Sequence, residues 1–341
     1  MTAHAPRTIL IGDIHGCYAE LEALLTAVEL QPEDHLVSVG DLVDRGPEPT
    51  AVVRLFQTRP NSTALMGNHE RKHVRGVLSY SQQITRLQMG EAYADAVAWM
   101  ATLPYHYEDE QVRVVHWGLY PGVPLAEVPE EVRSGTTSGE GRLRERYGDR
   151  PWHEAYTDDK PVVFGHAVMG AQPLVRDGKV YGLDTGACHG LRLTALVLPE
   201  GRIVSVPARE DHWARARRAW EEPVLRQQRW GAMTWEQLQK RIAKARDPEH
   251  SGDYLDRVAR WATALRGQIP ELAAQLDAEN ARLIEAVGEE GYGRAAAEHA
   301  AGSHLIRLRA GRIGRENLGC AGPAELVALA AKLGSALPTE P

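Results

Sequence analysis

Three short apolar runs each end in a glycine followed by an acid or a carboxamide, at near-constant spacing. Thr8-Ile9-Leu10-Ile11 leads into Gly12-Asp13-Ile14-His15-Gly16, and Leu36-Val37-Ser38-Val39 into Gly40-Asp41-Leu42-Val43-Asp44-Arg45-Gly46. Thr63-Ala64-Leu65-Met66 leads into Gly67-Asn68-His69-Glu70. Asp13 lies 28 residues before Asp41 and Asp41 lies 27 before Asn68, the length of a strand–helix–strand unit. Leu21, Leu24, Leu25 and Val28 fall at i, i+3, i+4 and i+7, so a helix lies on the sheet between the first two runs. A second helix is predicted at residues 50–57. Further strands are predicted at 112–115, 161–164, 180–183 and 193–198, the first two ending at His116 and at Gly165-His166. Every motif then sits beyond the carboxyl end of a strand, where open α/β sheets gather their ligands.

The motifs present carboxylates, imidazoles and one carboxamide, with no thiol. This donor set suits two divalent cations held through oxygen and nitrogen. Two such cations a few ångströms apart serve in-line attack on a phosphate ester. Asp13 and His15, two residues apart in a turn, can reach one metal. Asp41 is the natural bridging ligand, and Asn68, His116 and His166 complete the second metal. His69 neighbours Asn68 and its side chain diverges from it, which leaves it free to act as general acid with Asp44 orienting the ring. Arg45 offers a planar fork to two phosphate oxygens.

Bulk properties narrow the partners. A net charge of −7 and a pI near 6.1 argue against bulk nucleic-acid binding. Three cysteines in 341 residues do not make a disulfide framework. The absence of a long apolar run predicts no membrane span, and the short polar stretch before Thr8 does not read as a secretory signal. A cytoplasmic enzyme is the expectation.

The order GDIHG, GDLVDRG, GNHE, then His116 and Gly165-His166 resembles the phosphoprotein phosphatase (PPP) family of calcineurin-like metallophosphoesterases over roughly residues 7–210. The resemblance implies an α/β fold: a sandwich of two mixed β-sheets flanked by helices. It implies a dinuclear Mn, Fe or Zn centre, with manganese placed ahead of Fe, Zn, Ni and Mg as the expected metal. Asp13, His15 and Asp41 would hold one ion, and Asp41, Asn68, His116 and His166 the other. It makes His69 and Asp44 the acid pair and Arg45 a phosphate clamp. Arg144 resembles the second phosphate arginine of short bacterial and phage members. Asp184-Thr185-Gly186-Ala187 and Val204-Ser205-Val206-Pro207-Ala208 resemble the bacterial branch. That branch includes diadenosine tetraphosphate hydrolases, protein phosphatases and RNA-end-healing phosphatases. Trp117 departs from the pattern: it could narrow the pocket, stack on a substrate ring or fill core. His189, where an aromatic is common, either touches substrate or has no role.

Residues 73–103 read as helical, a candidate flap. From about Asp211 the chain turns Ala-, Arg-, Leu- and Glu-rich, which predicts five or six helices and no strand. Thr234-Trp235-Glu236-Gln237 fits a capping box; Pro270 suits a helix start, and Gly267, Gly288 and Gly334 helix ends. The predicted division is a catalytic domain at 1–210 and an all-α C-terminal module at 211–341 that packs on it and shapes access. Arg307, Arg309, Arg312 and Arg315 read as a solvated face or as an anion-binding arm. The expected activity is phosphomonoester hydrolysis, on phosphoprotein Ser/Thr/Tyr or nucleotide ends. Its rivals are dinucleoside polyphosphate hydrolysis, a phosphodiesterase acting on RNA ends, and a non-catalytic metal-binding adaptor acting through the helical module.

Overall fold

The computed structural model describes residues 6–245 and 253–341. In chain order the first half runs β1 (Thr8–Ile11), α1 (Tyr18–Ala27), β2 (His35–Ser38), α2 (Pro49–Thr58), β3 (Ser62–Ala64) and α3 (Asn68–Val74). It continues through α4 (Tyr80–Met89), α5 (Tyr93–Met100), β4 (His106–Glu108), β5 (Arg113–Val115), α6 (Glu130–Arg133) and α7 (Thr137–Tyr147). Then come β6 (Val162–Phe164), β7 (Leu174–Arg176), β8 (Val180–Gly182), β9 (Arg192–Leu198), β10 (Arg202–Pro207) and α8 (His212–Arg226). The remainder is helical: α9 (Trp235–Ala245), α10 (Asp253–Gly267), α11 (Ile269–Glu298), α12 (Gly302–Arg309) and α13 (Pro323–Lys332).

The strands form two mixed five-stranded sheets, ordered β10-β9-β1-β2-β3 and β4-β5-β6-β8-β7. Alternation along the strands explains the layering. Leu10, Val37 and Leu196 of the first sheet meet Val114, Val163 and Tyr181 of the second in one buried cluster between the sheets, joined by Leu65, Val112 and Leu183 at the strand ends. Ile9, Ile11 and Leu36 point the other way and pack with Leu21, Leu24, Val52 and Phe56 of α1 and α2. Val162 and Phe164 likewise pack outward with Leu143 and Trp152. Strands buried on both faces read as continuous apolar runs, which is what the sequence shows.

The fold differs from expectation in the helical stretch and in strands that were not predicted, β4, β7 and β10. The helical stretch predicted at 73–103 is broken into α3, α4 and α5, and Gly76 and Gly90 at the breaks adopt φ of 68° and 53°. The three-residue edge strands β4 and β7 carry no apolar alternation that would have announced them.

Arg7 pins the start of β1 to the turn before β2. Its backbone N and Nε donate to Asp34 Oδ1 at 3.1 and 3.2 Å, and Nη2 donates to Oδ2 at 2.6 Å. Nη1 and Nη2 also donate to the carbonyls of Val28 and Glu29. Burial alone would raise the Asp34 carboxyl, but hydrogen bonds from Arg7 and from the Gln31 amide hold it below the ordinary carboxylate value. A depressed folded value means stabilisation that is complete above the unfolded value of about 3.9 and is lost as the pH falls through the folded one. Asp34→Asn is therefore expected to cost about 2 kcal/mol at neutral pH. The difference from the parent chain should shrink in acid, as urea melts at both pH values will show; a penalty that stays constant into acid would contradict it.

The chain divides into two compact units, residues 1–224 and 225–341. The second has its own core, in which Trp230, Leu255, Val258, Leu272, Leu305 and Leu326 take part. Thr234 and Gln237 form the expected reciprocal cap: the Gln237 amide donates to Thr234 Oγ1 at 3.2 Å and the Thr234 amide to Gln237 Oε1 at 2.9 Å. Gly267 closes α10, and Gly288 interrupts α11 with φ of 68°. No strand occurs after β10 among the described residues. The tryptophans here are framework: Trp230, Trp235 and Trp261 donate their indole N–H to Leu225, Cys320 and Pro338 carbonyls. Arg315 pairs with Asp277, and Arg309 pairs with Glu289 over the Tyr292 ring. Two members of the arginine run are thus committed within the unit.

Candidate metal centre

The five motifs leave the carboxyl ends of β1, β2 and β3 in one sheet and of β5 and β6 in the other, and their side chains converge. His15 Nε2 lies 3.6 Å from Asp41 Oδ2, and His116 Nε2 lies 3.4 Å from Asp41 Oδ1. Each oxygen of Asp41 therefore faces a different imidazole. Asn68 Oδ1 is 3.1 Å from both His116 Nε2 and His166 Nδ1. Asp13, buried beside them, accepts the His166 amide on both oxygens at 3.1 and 3.0 Å.

Neighbouring groups set which imidazole nitrogen is available. His15 Nδ1 sits 2.8 Å from the Val43 carbonyl and His116 Nδ1 sits 3.1 Å from that of Val39, so each donates there and keeps its Nε2 lone pair for the centre. His166 Nε2 is 2.9 Å from Glu140 Oε1, which turns its Nδ1 inward. Glu70 braces the loop: its carboxylate accepts the amides of Asp41, Leu42, Val43 and Gly67 at 2.9, 2.8, 3.2 and 3.1 Å.

The backbone is strained where the donors lie. His15, Asp41, Asp44, Arg45 and His166 have φ of 48°, 50°, 71°, 67° and 69°, a region such side chains rarely adopt. The motif glycines permit close approach. A Cβ on Gly67 would stand 2.1 Å from Asp41 Oδ1, and one on Gly165 would stand 2.0 Å from Asp13 Oδ1.

Charge in this cluster is unbalanced in a way that cations correct. Burial and the nearby Asp184 carboxylate hold Asp13 well above the ordinary carboxylate range. Burial pushes His116 down, but Asp41 and Asp13 more than reverse this and lift it to about 9. Burial and His116 push His166 down to about 4. Two groups that share Asp41, one with His15 and His69 and the other with His116 and His166, bring a buried carboxylate and imidazoles within reach of one another, a donor set for divalent cations.

Beside the donors is a second arrangement. His69 Nδ1 is 2.5 Å from Asp44 Oδ2, and Asp44 is fully buried. His73, one turn along α3, places Nε2 at 2.9 Å from Asp44 Oδ1 and Nδ1 at 3.0 Å from the Tyr93 hydroxyl. Gln82 of α4 donates to Asp44 as well. Burial would raise the Asp44 carboxyl, and the bonds from His69 and His73 carry it far below its usual range. Arg45 spans the two sets, with Nη1 and Nη2 each 3.1 Å from His15 Nε2 and His69 Nε2.

Nine of the ten predicted site residues meet here. Arg144 does not: it is exposed on α7, one turn past Glu140, and it is Glu140 that reaches His166. Trp117 packs on His166, ring centres 5.0 Å apart, and on Phe164 at 5.8 Å. His189 is half-buried near Arg45. Cys17 and Cys188 are buried free thiols. Sequence reasoning missed Glu70, His73, Gln82, Glu140 and Asp184. His73 follows His69 by four residues, and Glu70 stands at the third position of the helix that starts at Asn68. Helical spacing could have found both.

The model of the calcineurin-like phosphoesterase family matches residues 6–192, and the chain belongs to that family. It is a metal-dependent phosphohydrolase. An asymmetrical-type bis(5′-nucleosyl)-tetraphosphatase of Geobacillus thermodenitrificans is 31% identical over 240 residues, covering 60% of this chain and 95% of the relative. A symmetrical-type bis(5′-nucleosyl)-tetraphosphatase of Erwinia tasmaniensis is 33% identical over 271 residues, covering 60% of this chain and 98% of the relative. A crystal structure of a candidate diadenosine tetraphosphatase superposes with a TM-score of 0.50 at 30% identity, covering 61% of this chain and 96% of that one. Among the described residues no helix is long and apolar enough to cross a membrane.

Proposed function

We propose that the chain hydrolyses dinucleoside tetraphosphates at a centre of two divalent cations, with manganese as the working metal, in the cytoplasm. Asp41 carries the reading, because its two oxygens face separate donor groups and one carboxylate can serve both ions. The substrate class rests on the relatives, each of which the chain covers almost end to end. Phosphomonoester hydrolysis, the reading the motifs favour by themselves, stands second.

Asp13, His15 and Asp41 would hold one cation, and Asp41, Asn68, His116 and His166 the other. Bound there, the cations supply Lewis acidity toward the phosphoryl oxygens and acidify the attacking water. Arg45 grips two non-bridging oxygens, since both its terminal nitrogens already point between His15 and His69. His69 Nε2 faces the same space and gives its proton to the leaving oxygen. Asp44 fixes the ring through Nδ1, and His73 and Gln82 fix Asp44. All of these residues precede 225, so the chemistry belongs to the first unit, whose domain we extend past residue 210 to Val224, within α8.

The test is a substrate panel with Mn²⁺: diadenosine tetraphosphate, p-nitrophenyl phosphate, a phosphopeptide and a 2′,3′-cyclic nucleotide. The highest kcat/KM is expected on the dinucleotide. ADP as the only product would mark a cut at the centre of the chain, and AMP with ATP an off-centre one. A phosphopeptide or aryl phosphate that outpaces the dinucleotide would overturn the reading.

A further inference from the structure

Besides the six donors, α1 and the start of α8 bury a second cluster, whose Cys17 thiol donates to the His15 carbonyl at 3.6 Å. Cys17 caps α1, Glu20 lies in its first turn, and His212 opens α8. Ligand atoms of the three lie within 4.8 Å of one another, and all three residues are buried, with exposures of 0%, 2% and 6%. Glu20 Oε1 is well supplied, with His212 Nε2 and the Arg209 amide both at 2.9 Å. Glu20 Oε2 is buried and has no hydrogen-bond partner. Buried carboxylate oxygens are ordinarily satisfied, so an orphaned one beside a thiol and an imidazole calls for an explanation.

We propose that Cys17, Glu20 and His212 bind a zinc ion, separate from the dinuclear centre, that ties the loop carrying Asp13 and His15 to α8. The chemistry selects the metal. A sulfur, an imidazole nitrogen and a carboxylate oxygen are the three donor types zinc takes, and thiol sulfur selects against the hard cations that suit an oxygen-rich set. Burial works against Glu20, but hydrogen bonds from His212 and the Arg209 amide bring it down to about 2; zinc would take the place of the His212 Nε2 proton and leave the ring its Nδ1–H. His212 Nδ1 lies 3.8 Å from Glu210 Oε1, a carboxylate on the side of the ring away from Glu20. The remaining nearby thiol, Cys188, faces the Arg45 guanidinium and is not a donor in this assignment.

The dinuclear donor set contains no sulfur, so a sulfur signature reports on this cluster alone. The full-length protein loaded with Co²⁺ is expected to show a thiolate-to-cobalt charge-transfer band in the near ultraviolet. That band should vanish in Cys17→Ser and His212→Ala and persist in Cys188→Ser. Zinc-loaded wild type should hold one more equivalent per chain than Cys17→Ser. Should the variants fail to fold, X-ray absorption on the zinc-loaded wild type still decides, through a sulfur neighbour at about 2.3 Å. A cobalt protein without the band, a band that survives Cys17→Ser, or a zinc shell of nitrogen and oxygen alone would overturn the assignment and leave a buried Glu20–His212 ion pair.

Discussion

Asp41→Asn is expected to lower metal content at both positions of the dinuclear centre and to cut turnover by about 10³-fold or more, the scale set by losing several kcal/mol of charge stabilisation. The substitution keeps an oxygen for the His69 amide, which now donates to Asp41 Oδ1 at 3.1 Å, so the loop should hold its shape. His116→Asn is the comparison, because in the proposed arrangement His116 would serve one ion only and its loss should leave the other bound. Elemental analysis of the two variants after removal of free metal measures this. If Asp41→Asn empties one position while the other stays full, the carboxylate is not shared. Chelation of the parent chain should abolish activity, and Mn²⁺ should be among the ions that restore it.

His69→Asn separates proton transfer from metal binding. Asp44 holds the His69 Nδ1 and Arg45 faces its Nε2, so in the proposed arrangement it is no ligand and the metal content should be unchanged, although its Nε2 lies only 3.9 Å from Asp41. Loss of metal in this variant would make His69 a donor instead. The value of kcat should fall about 10²–10⁴-fold, the range for a positioned general acid. The loss should be greatest on an alkyl phosphate and much smaller on p-nitrophenyl phosphate, whose leaving group hardly needs a proton. Equal losses on both would remove His69 from that role. His73→Phe is expected to give a milder version of the same leaving-group dependence, since His73 acts only by holding Asp44.

The motifs were legible because strand ends in an α/β sheet are where ligands gather, and because apolar runs of four residues followed by glycine mark those ends. The side chains that finish the centre were not. Asp184 closes the strand predicted at 180–183 but had no role assigned to it, and only the folded chain brings Glu140 Oε1, on α7, to His166. The left-handed backbone at His15, Asp41, Asp44, Arg45 and His166 has no marker in residue type, since glycine, the usual occupant, is absent from all five positions. Arg144, placed by family likeness, lies exposed on α7, and the side chain that this helix brings to His166 is Glu140. In the helical region the capping residues and the glycine at 288 were readable because they act locally, within one turn of themselves.

The donors are divided between two sheets: Asp13, His15, Asp41 and Asn68 hang from one, His116 and His166 from the other. Cations bound among them, as proposed, would work as a buckle across the sandwich, and unfolding would release them. Linkage makes this quantitative: free metal at a hundred times its dissociation constant adds about 2.7 kcal/mol to the folded state. Withdrawal of the metal would then remove the catalyst and lower the stability of the sandwich in one act.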